Sequence, residues 1–429
     1  MEKIIFKSKG LVGNTTVPGD KSISHRAVMI GSIAEGNTHI ENFLTGEDCL
    51  ATMNCFKAMG IEFEGPHDGF LVVRGKGLDG LMEPEKILDA ANSGTTIRLM
   101  TGILSGQPFL SMITGDDSLK KRPMGRVIEP LTLMGSNIMG RKQNTLPPLA
   151  IRGGNLKPVD YTTQVASAQI KSSILFAGLF ANGKTSVTEP ARSRDHSERM
   201  LKYFGAEVET EGNRVTLKGL PSLKGTDIKI PGDISSAAFL MVAAALVPGS
   251  DLTIRNVGTN PTRDGIIHAL KKMGANIEII DTTVSCGEPV SDIRVRHSEL
   301  KGITVEGDLI PRLIDEIPAL AVAASVAEGE TVVKDAAELK VKESNRISAI
   351  VEELKKFGVN IVELPDGFIV HPGNKLQGAI VDTRMDHRIA MAMSVAGLIS
   401  EGETVIKGCQ YVNISFPGFF DVLKSLGIE

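Results

Sequence analysis

Basic side chains recur in this sequence at positions that helix electrostatics disfavours. Asp20-Lys21-Ser22 with Arg26, Asn92-Ser93-Gly94-Thr95, Ser167-Ala168-Gln169 with Lys171, and Asp386-His387-Arg388 each open a long apolar stretch. Asp233 with Ser235 and Ser236, and Arg312 with Asp315 and Glu316, hold the same place in two more. Ser, Asp and Asn are ordinary helix N-caps there, because their oxygens accept from the first free amides. Capping does not explain Lys21, Arg26, Lys171 or Arg388. A cation at a helix N-terminus opposes the macrodipole unless an anion lies between them. Further basic residues are Lys120, Lys121 and Arg122 before Pro123, Arg192 and Arg194 around Ser193, and Lys342 and Arg346 in Lys-Glu-Ser-Asn-Arg. Singly, each has the plain reading of a solvated surface charge. Their recurrence at one structural level predicts a large anion-binding cleft suited to phosphate or carboxylate groups. Asp315 and Glu343 are the carboxylates nearest to this set, hence candidates for proton transfer. Glu343, three residues before Arg346, also has the simpler reading of a helical ion pair.

The elements that must position these groups form an internal repeat. An apolar helix stops at a glycine and leads into a short strand six times, at Gly36, Gly106, Gly183, Gly249, Gly329 and Gly402. The intervals run from 66 residues (Gly183 to Gly249) to 80 (Gly249 to Gly329). A second, amphipathic helix closes on Gly60, Gly135, Gly205, Gly274, Gly358 and Gly427. Gly past a helix end takes the left-handed C′ conformation most cheaply. Each unit therefore reads as strand, buried helix, strand, amphipathic helix and two strands. Helices apolar nearly all round are buried, and helical crossovers make the strands they join parallel. The last unit stops at Gly427-Ile428-Glu429, without the strand pair that follows the other such glycines. The first 17 residues are a strand pair with no helix before it, so the N-terminal segment is expected to complete the sixth unit. Val17-Pro-Gly-Asp-Lys-Ser22 and Ile230-Pro-Gly-Asp-Ile-Ser235 mark equivalent points in two similar halves. The expected fold class is α/β, with residues 20–230 as one domain, residues 1–19 plus 231–429 as the other, and the cleft between them.

Composition limits the alternatives. With 47 basic and 51 acidic residues the net charge is −4, so no global field attracts nucleic acid or an anionic membrane. The longest strongly apolar run, Phe239 to Val247, is far short of the ~18 residues of a membrane span. Met1 to Gly10 shows no cleavage-site pattern of a signal peptide. Four cysteines without a C-x-x-C pair read as buried free thiols and fit a reducing cytoplasm. The histidines show no metal-ligand spacing. A six-repeat ring clamping nucleic acid would need basic helices facing it, whereas the repeated first helices are apolar.

Val17-Pro-Gly-Asp-Lys-Ser-Ile-Ser-His-Arg26, Asn92-Ser-Gly-Thr95, Arg122-Pro-Met124, Lys342-Glu-Ser-Asn-Arg346, Asp386-His-Arg388 and Ser415-Phe-Pro-Gly-Phe-Phe420 are similar to motifs of the 5-enolpyruvylshikimate-3-phosphate synthase family, in order along essentially the whole chain. The resemblance implies two domains of three βαβαββ units each, the enolpyruvyl transferase fold or inside-out α/β barrel. It also implies a cytoplasmic monomer that needs no cofactor or metal. Its substrates would be phosphoenolpyruvate and shikimate 3-phosphate, on the route to chorismate and aromatic amino acids. Carried over by motif, Lys21, Arg122, Gln169, Arg346 and Arg388 would hold phosphoenolpyruvate, with Gly94 packed close to it in the Asn92 motif. Ser22, Arg26, Ser167, Ala168, Arg194, Asp315 and Lys342 would hold shikimate 3-phosphate. Asp315 would be the base, and Glu343 with Lys21 the acid. Ser415 replaces a family lysine, with Lys407 eight residues away; with Ala168 and Glu338, it resembles the second, divergent bacterial class. The related UDP-N-acetylglucosamine enolpyruvyl transferases would show Lys-Asn in place of Lys21-Ser22, and a cysteine within Ser111 to Arg122, which has none.

Overall fold

Ile234–Leu246 carries no charged residue and is buried at every one of its thirteen positions. Ile317–Ser325 and His387–Gly397 are likewise buried throughout. Such helices cannot lie on a surface, and they form the core around which the rest is arranged. The structure, a computed structural model, describes residues 1–427; Ile428 and Glu429 of the terminal stop lie outside the described residues.

The chain divides into two compact units. The central unit comprises Gly19–Ile230 with Ser285–Glu288; the composite unit comprises Met1–Pro18, Pro231–Val284 and the chain from Pro289 onward. In the central unit the inner helices are α1 (Lys21–Ile33), α3 (Gly94–Ser105) and α5 (Ala168–Gly178). The amphipathic ones are α2 (Glu47–Ala58), α4 (Gly125–Leu133) and α6 (His196–Tyr203). In the composite unit α7 (Ile234–Leu246), α9 (Ile317–Ser325) and α11 (His387–Gly397) are inner. Their amphipathic partners are α8 (Gly265–Lys272), α10 (Arg346–Lys356) and α12 (Phe419–Ser425).

Among the described residues the strands make six sheets, five of four strands and one of three. In the second sheet Leu88–Asp89 runs parallel to Leu110–Thr114 across α3, and antiparallel hairpin pairing adds the other two strands. The N-terminal segment departs from the expectation that it completes the sixth unit alone. Glu2–Ile5 does join that sheet, antiparallel to Thr404–Lys407. Val12–Thr16 instead pairs in parallel with Asp251–Gly258, the strand after α7. Conversely, Asp227–Lys229, just before α7, pairs in parallel with Glu35–Glu41, the strand after α1. The two entering strands are thus exchanged at the Pro-Gly-Asp hexapeptides.

All six glycines closing the amphipathic helices have positive φ, as do five of the six after the inner helices. Gly106 is the exception, with φ −83°. There the requirement is space, since a Cβ would stand 2.2 Å from the Phe180 ring. Gly102 is constrained in the same way, because a Cβ would meet the Ser173 carbonyl at 2.2 Å. Helices α3 and α5 therefore run in contact, which brings their N-termini side by side. Of the cysteines, Cys49, Cys55 and Cys409 are buried as expected, whereas Cys286 is partly exposed in the turn before Glu288.

Candidate active site

Each unit gathers its polar residues at the N-terminal ends of its inner helices. In the central unit, Asp20 caps α1 by accepting from the Ile23 amide, and Ser93 caps α3 by accepting from the Thr96 amide. Lys21 opens α1 with its Nζ 3.0 Å from Oδ2 of Asp48, on the first turn of α2. Asn92 fixes Arg122: its Oδ1 accepts from Nη2 at 2.6 Å, while its Nδ2 donates to Asp116 at 2.6 Å. A Cβ on Gly94 would lie 3.2 Å from Nη1 of Arg98 and 3.4 Å from Nη1 of Arg122, so a larger residue would press on the Arg98 guanidinium and touch that of Arg122. Arg98 donates to Oε1 of Gln169 at 2.5 Å, and Gln169 donates to the Thr95 hydroxyl at 3.2 Å. Asn92, Gly94, Arg122 and Gln169 thus gather around Arg98 in one polar cluster, and Lys21 opens the neighbouring helix α1.

Ser22 is half-buried, and its carbonyl accepts from Nη1 of Arg26. Arg26 is buried; its Nε donates to Ser197 at 2.7 Å and its Nη2 to Ser172 at 2.8 Å, which ties α1 to α6 and α5. Ser167 and Ala168 begin α5, with the Ser167 amide donating to Glu189 at 2.9 Å. Arg194 is half-buried in the loop leading to α6. Lys171 does not take the place expected of an anion-binding residue. It is 1% exposed, with its Nζ 2.8 Å from both Glu189 and Glu198. Burial alone would lower its pKa, but the two carboxylates outweigh that and raise it.

In the composite unit the organising group is Arg346, at the start of α10 and 1% exposed. Its Nε lies 2.8 Å from Oδ2 of Asp386, its Nη1 3.1 Å from Oδ1 of Asp315, and its Nη2 2.5 Å from Oε2 of Glu343. Burial opposes the charge, yet Asp386, Glu343 and Asp315 together push the guanidinium pKa above its already high ordinary value. Asp315 also lies 3.5 Å from Nζ of Lys342 and 3.8 Å from Nη2 of Arg388, and its carbonyl accepts from Nη1 of Arg388 at 3.1 Å. Asp386 caps α11 through the Arg388 amide and accepts from Ser344 as well. Asp315, Lys342, Glu343, Arg346 and Arg388 form one network, and the Glu343–Arg346 contact is indeed an i,i+3 ion pair. Next to Asp315, the wholly buried Glu316 accepts from the Ser235 hydroxyl, anchoring the turn that carries Asp315.

Two residues that sequence reasoning assigned no role belong to these clusters. Arg98 lies one turn beyond Gly94 on α3, so the i,i+4 rule placed it on the same face. Asp48 sits within the first turn of α2, where the helix dipole favours acidic residues, and that placement gives no sign of its link to Lys21. Ser415 is buried, and Lys407 is exposed within 4.0 Å of Glu2, away from the Arg346 network.

A family model described as EPSP synthase (3-phosphoshikimate 1-carboxyvinyltransferase) matches residues 5–423. The chain belongs to the EPSP synthase family. It is 61% identical over 429 residues to a 3-phosphoshikimate 1-carboxyvinyltransferase of Desulforamulus reducens, with both chains covered completely. A protein of the same name from Pelotomaculum thermopropionicum is 56% identical, again over the whole of both. The solved structure of the EPSP synthase from Acinetobacter baumannii superposes with a TM-score of 0.89 at 47% identity, covering 99% of this chain and 98% of that one. The enolpyruvyl transferase NikO from Streptomyces tendae has a TM-score of 0.79 at 16% identity over 99% and 97% of the two chains, which shows a shared enolpyruvyl transferase fold. As an EPSP synthase family member the chain is a transferase of the shikimate pathway. No helix among the described residues is long and apolar enough to cross a membrane.

Proposed function

We propose that the chain transfers the 1-carboxyvinyl group of phosphoenolpyruvate to the 5-hydroxyl of shikimate 3-phosphate by addition and elimination. The observation that carries this reading is Asp315, a carboxylate within 4 Å of Lys342, Arg346 and Arg388. Three cations beside one carboxylate put anion-binding groups and a proton acceptor at the same place, which suits a hydroxyl carried on an anionic substrate.

Lys21, Arg122, Gln169, Arg346 and Arg388 hold phosphoenolpyruvate. Ser22, Arg26, Ser167, the Ala168 amide, Arg194, Asp315 and Lys342 hold shikimate 3-phosphate. The start of an eleven-residue helix with an arginine nearby suits its phosphate group. Asp315 takes the 5-hydroxyl proton as that oxygen bonds to C2 of phosphoenolpyruvate. Glu343, with Lys21, delivers a proton to C3, turning the methylene into a methyl group. The tetrahedral intermediate then breaks its C2–O bond to phosphate. The methyl group returns a proton to Glu343, and the leaving phosphate takes the one held by Asp315. Proton transfer by such groups supplies roughly 10²–10⁴ in rate; orientation and charge stabilisation supply the remainder. The same reading makes the protein a cytoplasmic monomer acting on small molecules.

The test is phosphate release from phosphoenolpyruvate with either acceptor. Release is expected with shikimate 3-phosphate and not with UDP-N-acetylglucosamine. The opposite preference would overturn the substrate assignment.

A further inference from the structure

Beneath the residues assigned to shikimate 3-phosphate lies a buried ionic triad that the reaction itself does not use. Glu189 directly follows Lys184–Thr188, the strand after α5, and is 3% exposed. Its two oxygens face different segments. Oε1 accepts from the Ser167 amide at 2.9 Å, at the very start of α5. Oε2 accepts from the Ser193 hydroxyl at 2.8 Å and the Ser193 amide at 3.3 Å, one residue before Arg194. Lys171 lies 2.8 Å from the same Oε2, and its ammonium is shared with Glu198 on the first turn of α6. One carboxylate therefore joins the two segments that carry Ser167, Ala168 and Arg194, and Lys171 locks that carboxylate in place.

A buried carboxylate is costly unless it is paired and hydrogen-bonded. Every contact Glu189 makes meets that demand, and two of its amide donors belong to segments whose spacing must match one phosphate group. The charge-assisted bonds leave those segments little freedom. Buried groups that hold ligand-contacting residues in place determine their geometry as much as those residues do.

We infer that Glu189 is a positioning residue for the phosphate group of shikimate 3-phosphate, fixing the start of α5 against the Ser193–Arg194 loop. The inference rests on the functional reading above. Glu189→Gln keeps the side-chain volume and an acceptor for Ser167, but presents an NH2 group to the Ser193 amide and the Lys171 ammonium. The loop is then released while the helix start is kept.

The experiment compares dissociation constants for shikimate 3-phosphate and for unphosphorylated shikimate, by calorimetry on the full-length protein. Glu189→Gln is expected to weaken the phosphorylated ligand roughly tenfold, as when a charged acceptor is lost from a hydrogen-bonded network. Shikimate binding should change less than twofold, so the ratio of the two constants collapses. A merely structural role would lower the unfolding midpoint and move both ligands together, and that outcome overturns the proposal. Glu189→Asp keeps the charge beside Lys171, and so the fold, but is one methylene too short to reach both segments. It should also favour shikimate relative to wild type, and an unchanged ratio in this variant overturns the proposal as well. A wild-type protein that ignores shikimate 3-phosphate altogether would instead refute the functional reading itself.

Discussion

Asp315→Asn is expected to reduce kcat by roughly 10²–10⁴-fold, the usual worth of a general base. Affinity for shikimate 3-phosphate should fall only a few-fold, because the Asn carbonyl still accepts from the ligand hydroxyl. The asymmetry follows from the surroundings of Asp315. Lys342, Arg346 and Arg388 all lie within 4 Å of its carboxylate. Replacing a carboxylate by an amide makes this cluster more positive, which favours anionic ligands even as the proton acceptor disappears. The fold should tolerate the change, because Arg346 retains Asp386 and Glu343. Single-turnover kinetics with a parallel binding measurement separate the two effects. Near-normal turnover in Asp315→Asn would remove it as the base.

The second large effect concerns stability. Asp386 is fully buried and serves four donors: Nε and Nη2 of Arg346, the Ser344 hydroxyl and the Arg388 amide. Asp386→Ala deletes the most deeply buried counter-charge of a buried guanidinium and the N-cap of α11 together. Breaking a buried ion pair from one side costs about 3–5 kcal/mol, because the other charge stays buried. Loss of the cap costs about a further 1 kcal/mol. Asp386→Asn keeps the cap and the side-chain volume, so its loss should be clearly smaller. Urea unfolding of the two variants against wild type measures the difference. Equal losses below about 1 kcal/mol would show that Asp315 and Glu343 alone balance Arg346.

The sequence made the repeat legible because its signals are local. Apolar stretches, stop glycines and caps are each read within one turn of helix. The exchanged strands were not legible. Val12–Thr16 and Asp251–Gly258 pair across more than half the chain, and nothing in either strand names its partner. Gly106 resembled the other helix stops, but it is required by the Phe180 ring rather than by backbone conformation.

The chemistry divided in the same way. Asp315 and Glu343 stand out in the sequence as the carboxylates nearest to a larger basic set, of which Lys342, Arg346 and Arg388 lie with them in one network. Lys171 looks anion-binding within its own helix, whereas its neutralising partners, Glu189 and Glu198, lie outside that helix. Asp386 was read as a cap, and it is one. Its greater load, the buried Arg346, is visible only once α10 and α11 are packed. Local rules thus found which residues carry charge at helix ends. Which of those charges face a ligand and which face each other depends on tertiary packing.

In the proposed reaction Glu343 adds a proton to C3 of phosphoenolpyruvate and later removes one, while the 5-hydroxyl of shikimate 3-phosphate attacks C2. Turnover in D2O, followed by mass and NMR analysis of the isolated product, tests it most directly. The account predicts one phosphate released per enol ether formed, with deuterium in the vinyl methylene of that product. An enol ether of shikimate 3-phosphate whose methylene carries only protium would contradict it.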